Sequence, residues 1–453
     1  MDRVAHVGGR LIVPRKVAVI GAGWAGCAAA AELAAHGVAA VLLEASDELG
    51  GRARRLPLEL GGHRHLLDNG QHLLLGAYVE TAALLKRLNV PLDTIERRPF
   101  ELHYPDGFRL RAARLPAPFH LAAAIAASRG LAPSDRLALV GLLRTLKKSG
   151  WNIVSDRSIT EWLHECGQTP HVVRRVWRPL ALAALNTPLD RASAQIFASV
   201  LRDSLGAATS AGSEMWLPRA DLSALFPEAV ERYVVAHGGE VRRDARVTSV
   251  KRNAVDERLF LLLRNESARA IEVDAVVYAA APTHLEHVVG DREHLNDIYE
   301  AVARFEHEPI YTVYLKYKPE VRVARGFTAL LDDATKRRYA QWVFDRGALD
   351  PDNRGVLAAV ISSSGPHEAE SLESVCQAVA QQLTDDLGLP APIDARAIAD
   401  RRATLAAVPH LHRPSNKTRL PSFVIAGDWT ESDYPSTLET AVRSGRAAAR
   451  LLL

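Results

Sequence analysis

A short apolar run, Lys16 to Ile20 (KVAVI), passes without a polar break into Gly21-Ala-Gly23-Trp24-Ala25-Gly26. A run of this length, rich in valine and isoleucine and bounded by glycine, reads as a buried strand. The alanine-rich stretch after Gly26 keeps helical character to His36, where Gly37 stops it. A second apolar run, Ala40 to Leu43, ends in Glu44. Strand, glycine turn, helix and strand thus follow one another within about 30 residues, the length of one parallel crossover unit. Further along, Pro227 to His237 has the amphipathic spacing of a helix closed by Gly238-Gly239. Glu240 to Lys251, Leu259 to Leu263, Ile271 to Ala280 and Ser422 to Ala426 read as strands, and Ala441 to Leu453 as a helix containing Gly445. Ser436 and Glu439 have capping-box spacing ahead of that last helix.

The glycine turn carries the first chemistry. Gly21 permits the tight turn, Gly23 lets backbone reach a pyrophosphate, and Gly26 allows the helix to press against the sheet. Trp24 and Ala25 lie at the start of that helix, whose N-terminus faces the negative charge. Glu44, 18 residues past Gly26, is placed to accept hydrogen bonds from a ribose hydroxyl. An ordinary glycine turn before a helix would explain the glycines, but not the strand, helix and terminal acid together. The segment is expected to bind a dinucleotide.

Composition narrows the setting. The chain has 453 residues, 48% of them hydrophobic, and a formal net charge of +3. That is enough to bury substantial cores, as a globular protein of two domains. Basic residues fall in short scattered clusters such as Arg242-Arg243 and Arg401-Arg402, so a nucleic-acid partner is not indicated. Cys27, Cys166 and Cys376 are far apart and form no CxxC pair, which suits a reducing, cytoplasmic setting. A polar leader to about Pro14 lacks the apolar stretch of a signal peptide, and no run approaches the ~18 residues that span a bilayer. His63, His65 and His72 could be read as a metal cluster, but nothing completes the ligand set and no metal is expected.

Glu44-Ala-Ser-Asp-Glu-Leu-Gly50-Gly51-Arg52 resembles the extended fingerprint of flavin enzymes of the amine oxidase and phytoene desaturase superfamily. Gly50 and Gly51 expose backbone donors there, and Arg52 can add charge-assisted contacts to the diphosphate of FAD. In that superfamily the loop matching Asp68-Asn69-Gly70-Gln71-His72 lies near the flavin. At the other end, Gly427-Asp428-Trp429 precedes Pro435-Ser436-Thr437-Leu438-Glu439. The resemblance gives Asp428 the ribitol chain, and it aims the helix beginning near Ser436 at the pyrimidine edge of the flavin, where negative charge collects on reduction. It also brings the backbone at Val247 to the adenine, although a strand valine is ordinarily a core residue. The implied fold is α/β: a discontinuous Rossmann-type FAD domain (15–84, 217–283, 403–453) with an inserted, amine oxidase-like α+β substrate domain (85–216, 284–402).

The middle of the chain narrows the resemblance. Trp177-Arg-Pro-Leu-Ala-Leu-Ala-Ala-Leu-Asn186-Thr-Pro188, Ala192-Ser-Ala-Gln-Ile-Phe197 and Leu217-Pro-Arg219 are similar to the bacterial hydroxysqualene dehydroxylases, also called squalene-associated FAD-dependent desaturases. On physics alone the Trp177 segment is equally well a buried apolar helix. The resemblance implies reductive removal of an allylic hydroxyl from hydroxysqualene, giving squalene for hopanoid-type synthesis, inside an apolar tunnel that excludes water. No second GxGxxG fingerprint is present, so a separate electron donor enters the expectation. Asp433 and Tyr434 follow the flavin motif and are the candidates to protonate the hydroxyl, the alternative being that both are structural. Competing readings are an oxidative polyene desaturase or amine oxidase on the same scaffold, and a prenyl-lipid carrier without catalysis. A long-chain isoprenoid partitions into bilayers, so peripheral association with the inner face of the cell membrane is expected. Leu115 to Leu131, with Phe119, Leu121 and Ile125 near Arg111, Arg114 and Arg129, is the candidate docking segment; the alternative is a helix packed into the core.

Overall fold

The computed structural model describes residues 15–253, 258–264 and 270–453; the leader read before residue 15 lies outside them. Strand β1 (Lys16–Ile20) leads into helix α1 (Trp24–Ala35) and strand β2 (Ala39–Leu43). β1 lies at the centre of a five-stranded sheet whose order is Glu240–Arg242, β2, β1, Ala275–Tyr278, Phe423–Ile425. Every pairing in it is parallel, with Val17 opposite both Ala40 and Ala275. Four stretches far apart in sequence therefore meet in one sheet, the doubly wound arrangement expected of a Rossmann-type fold.

Two of the long strands expected from the sequence are each divided between sheets. Glu240 to Lys251 breaks at Asp244, which adopts a left-handed φ of 54°, and its N–H and that of Ala245 turn back to the carbonyls of Ser46 and Glu44. Val247–Arg252 then joins Leu259–Leu263 and Ile271–Val273 in a separate antiparallel sheet. Ile271 to Ala280 breaks at Asp274, whose carboxylate accepts from the N–H groups of Arg15 and Lys16 at the start of β1. In both places a short polar residue offers the backbone a turn that outcompetes a continuous ladder.

Helix α1 is buried from Trp24 to Ala34, between the sheet and the C-terminal helix Leu438–Arg450. Alanines make this close packing cheap in side-chain entropy and glycines make it sterically allowed. A Cβ on Gly445 would lie 2.0 Å from the Ala25 carbonyl oxygen. The same helices carry a buried charge cluster: Glu32, 2% exposed, accepts from Arg446 at 2.9 Å, Arg450 at 3.0 Å and Arg87 at 2.7 Å. Burial alone would raise the Glu32 pKa, but the three guanidinium groups overcome it and hold the carboxyl down to about 2.

A second antiparallel sheet orders Phe327–Ala329, Trp342–Asp345, Val356–Ser362, His307–Lys316 and Asp394–Leu405. It packs with the helices between residues 119 and 203 around a large apolar core. In the candidate docking segment the helix Phe119–Ala126 is short and two-faced. Leu121 and Ile125 are buried, whereas Phe119 is 64% and Leu115 45% exposed. Only part of that segment is surface, because helical spacing turns residues 121 and 125 inward together.

Gly445→Ala should cost about 1–3 kcal/mol, since a backbone carbonyl cannot yield as a side chain can. A thermal melt of the purified protein should fall by several degrees. The Glu32 cluster makes a second expectation, about pH. A carboxylate whose folded pKa is depressed stabilises the fold above its ordinary pKa near 4.5, and that contribution is lost as pH falls towards 2. The gap in melting temperature between the parent chain and Glu32→Gln should be full at pH 6 and shrink steadily through pH 4.5 to 3.

Candidate cofactor site

Gly21, at φ +95°, donates its N–H to the Leu43 carbonyl and makes the turn at the sheet edge. The two glycines that follow differ in what requires them. A Cβ on Gly26 would lie 1.9 Å from the Gly21 carbonyl oxygen, so the fold itself excludes any side chain. Gly23 has an ordinary backbone conformation, φ −68° and ψ 177°, and a Cβ there would meet nothing nearer than the Gly51 Cα at 4.0 Å. The fold leaves that space open at the N-terminus of α1, where unpaired N–H groups point outward. This is the cradle a diphosphate fits. Gly50 and Gly51 form its opposite wall: Gly23 and Gly50 are bridged as in a parallel ladder, and Gly50 donates its N–H to Ala22.

Glu44 accepts from the Ala22 N–H at 2.8 Å and the Ser46 N–H at 3.0 Å. Each carboxylate oxygen keeps a second lone pair, so the ribose contact expected of it stays open. Trp24 and Val247 do not offer their side chains here. The Trp24 indole packs against Phe226, with ring centroids 4.6 Å apart and the planes tilted by 34°, and donates to the Ala53 carbonyl; the Val247 side chain lies in the core. Trp24 and Ala25 can contribute backbone N–H groups and Val247 its main chain, because each residue's apolar atoms are better buried than exposed.

The two ends of the chain converge at Arg52 and Asp428, which form a salt bridge at 2.5 Å. Asp428 raises the Arg52 pKa, and Arg52 also donates to the Ala403 carbonyl. Away from Asp428 the Arg52 side chain is 45% accessible, so part of the guanidinium is open to a ligand. Asn69 fastens this turn, accepting from the Arg54 N–H and donating to the Arg52 carbonyl. The backbone N–H of Gln71 is tied to Thr312, and its side-chain carbonyl accepts from Arg346. Within the same loop His72 bonds through Nδ1 to the Gly70 carbonyl at 2.8 Å, and burial lowers its pKa to about 4. At neutral pH His72 is therefore uncharged, with Nε2 as an acceptor. Just before the loop, burial raises the Asp68 carboxyl to about 7, against the pull of Arg346 and the Leu222 N–H.

The C-terminal helix starts earlier than its hydrophobic pattern indicates, at Leu438, and its cap differs from the expected box. Thr437 is the N-cap, accepting from the Thr440 N–H, while Ser436 donates to the Asp428 carbonyl. Glu439 is turned away to cap another helix, α2 (Val79–Arg87), accepting from the N–H groups of Glu80 and Thr81. The expected box fails because a fully buried carboxylate finds more donors there than at its own helix start. Gly427 lies at the end of the Phe423–Ile425 strand, and its N–H donates to Ser444. Arg413, 6% exposed, binds the carbonyls of Asp428, Ser432 and Tyr434 and so shapes the loop after Gly427. Nothing in its local pattern marks Arg413, since its partners lie 15 to 21 residues on. Tyr434 donates its hydroxyl to Asp203, and Asp433 pairs with Arg202 at 2.9 Å on the surface.

A model of the family described as flavin containing amine oxidoreductase matches residues 24–453. The chain is 24% identical to a hydroxysqualene dehydroxylase of Zymomonas mobilis, over 96% of this chain and 98% of that protein. It is 22% identical to a zeta-carotene desaturase of a Synechocystis species, over 97% of each chain. Among solved structures, an oxidoreductase from Methanosarcina mazei superposes with a TM-score of 0.73 at 15% identity, covering 96% of this chain and all of the other.

The two glycines give a split expectation. Gly23→Val should leave the thermal stability of the flavin-free chain unchanged while abolishing retained flavin absorbance after desalting. Gly26→Ala should lower both. Full flavin occupancy in Gly23→Val would remove that residue from the cradle.

Proposed function

Because the chain belongs to the flavin containing amine oxidoreductase family and is thus an FAD-dependent oxidoreductase, we propose that it reductively dehydroxylates hydroxysqualene to squalene. The observation that carries this reading is the similarity to a hydroxysqualene dehydroxylase over 96% of this chain. A small gap lined by eleven apolar side chains, among them Trp177, Leu180, Phe100, Leu121 and Ile125, lies in the apolar core. The Trp177 segment that carried the family resemblance forms one of its walls. Its volume is about 20 Å³, a packing gap in the apolar core rather than room for a long isoprenoid.

Bound FAD supplies the two-electron chemistry, and Gly23, Gly50, Gly51, Arg52 and Glu44 would hold its nucleotide half. Asp428 and the start of the helix at Leu438 would hold its flavin half, where the helix dipole favours negative charge. Loss of an allylic hydroxyl with a proton leaves a delocalised cation, and an apolar wall keeps water from capturing it. Tyr434 is the better of the two candidate proton donors. Tyr434 is buried with its hydroxyl donating to Asp203, whereas Asp433 is engaged in an exposed ion pair. Two electrons per turnover come from a separate donor. The similarity to a zeta-carotene desaturase favours a second reading, oxidative desaturation of a polyene. Direction of electron flow separates the two.

No helix among the described residues is long and apolar enough to cross a membrane. The substrate is collected from a bilayer at the exposed Phe119 and Leu115, and Phe119→Asp should reduce activity on vesicle-borne substrate while flavin content holds. Chemically reduced enzyme, given hydroxysqualene without oxygen, should yield squalene by mass spectrometry. Failure there, with desaturated product from oxidised enzyme and a polyene, would establish the second reading. Tyr434→Phe should lower kcat with flavin retained, and unchanged turnover would make Tyr434 structural.

A further inference from the structure

A second cavity, of about 600 Å³, opens on the outer side of the molecule and is lined by Arg97, Arg98, Arg111, Arg114, Arg322 and Arg325. Glu101 is the one carboxylate among its lining residues. Six guanidinium groups converging on one concavity repel one another, and the charges that offset them are placed behind the wall. Glu101 accepts from Arg109 and faces Arg111 and Arg325; Asp345, its side chain 1% exposed, holds Arg322; Glu96 holds Arg98 and Arg219. These pairs fix the direction of the forks without filling the cavity. Arg97 stacks on Trp216 at 4.2 Å, and neither Arg97 nor Arg114 has a carboxylate partner among the described residues. Arg325 itself adopts a left-handed backbone, φ 64°, and its carbonyl accepts from Arg98, so the loop that presents it is held in an uncommon conformation.

We propose that this pocket binds a phosphate-bearing ligand. Planar forks held by second carboxylates are suited to the several oxygens of a phosphate ester or diphosphate, which accept paired N–H groups from more than one arginine. A monocarboxylate would leave most of the positive charge unmatched. The pocket is separate from the diphosphate cradle at Gly23, since none of its lining residues belongs to the glycine turns or to the Gly427 loop. The proposal does not depend on the identity of the oxidoreductase substrate. The phosphate can reside on a free small molecule or on a lipid headgroup, and Arg114 is the neighbour in sequence of the exposed Leu115.

Flavin-loaded protein serves for the test, compared with Arg97→Ala/Arg114→Ala and with a control, Arg232→Ala/Arg304→Ala, that removes two exposed arginines outside the pocket. Inorganic pyrophosphate is titrated calorimetrically against each. In a parallel arm, each is sedimented with vesicles of phosphatidylcholine alone or containing phosphatidylglycerol. A free ligand predicts pyrophosphate binding weakened about tenfold or more in the pocket variant and preserved in the control. A headgroup ligand predicts co-sedimentation that requires phosphatidylglycerol and is lost in the pocket variant alone. Equal behaviour of the two variants in both arms, or no binding by the parent chain in either, overturns the proposal. Flavin absorbance and melting temperature, unchanged across the three proteins, keep a folding defect from imitating a result.

Discussion

Gly26 and Gly445 hold α1 at separations that no side chain would permit, one against the Gly21 turn and the other from the C-terminal helix. Because the first turn of α1 cannot move away from the sheet, its N–H groups stay aimed at the space beside Gly23. Because the C-terminal helix lies on the opposite side of α1, its own start is carried to the same neighbourhood. The geometry of the cofactor site is thus a consequence of backbone contact, which is stiffer than side-chain packing. Polar groups lock the arrangement. Glu32 gathers arginines from two other helices, and Glu439 caps α2, so sliding any of the three would strand a buried carboxylate.

The site is assembled from segments with different amounts of local information. β1, the glycine turn and β2 are legible in the sequence because strand, turn and helix signals there are short-range and agree. The split strands at Asp244 and Asp274 are not, since hydrophobic alternation continues through both breaks and only the distant partners, Ser46 and the start of β1, reveal the turn. The cap at Ser436 and Glu439 shows the same limit. Its spacing is that of a capping box, yet Glu439 has donors on another helix 359 residues away in sequence. Trp24 was legible as part of the motif but not as a core residue, because position in a motif says nothing of where a side chain turns. Arg413 carried no signal at all, since a lone arginine bound to carbonyls has no sequence periodicity.

Electrostatics at the glycine cradle and in the loop after Gly427 differ in a way that the pairings explain. At the cradle the chain offers N–H groups and Arg52, both suited to anions. Around Tyr434, Arg443 stacks on the ring while Asp203 accepts a hydrogen bond from its hydroxyl, so positive and negative groups alternate. Arg413, the one buried guanidinium in that loop without a carboxylate hydrogen bond among the described residues, is directed at carbonyl oxygens, and its charge is spread over three main-chain dipoles.

The apolar and the arginine-lined cavities meet across a single hairpin, Glu101–His103 paired with Arg109–Arg111. Alternation along a strand sends Leu102 and Leu110 to one face and Glu101, Arg109 and Arg111 to the other. One thin element therefore separates the apolar core from a strongly basic surface pocket.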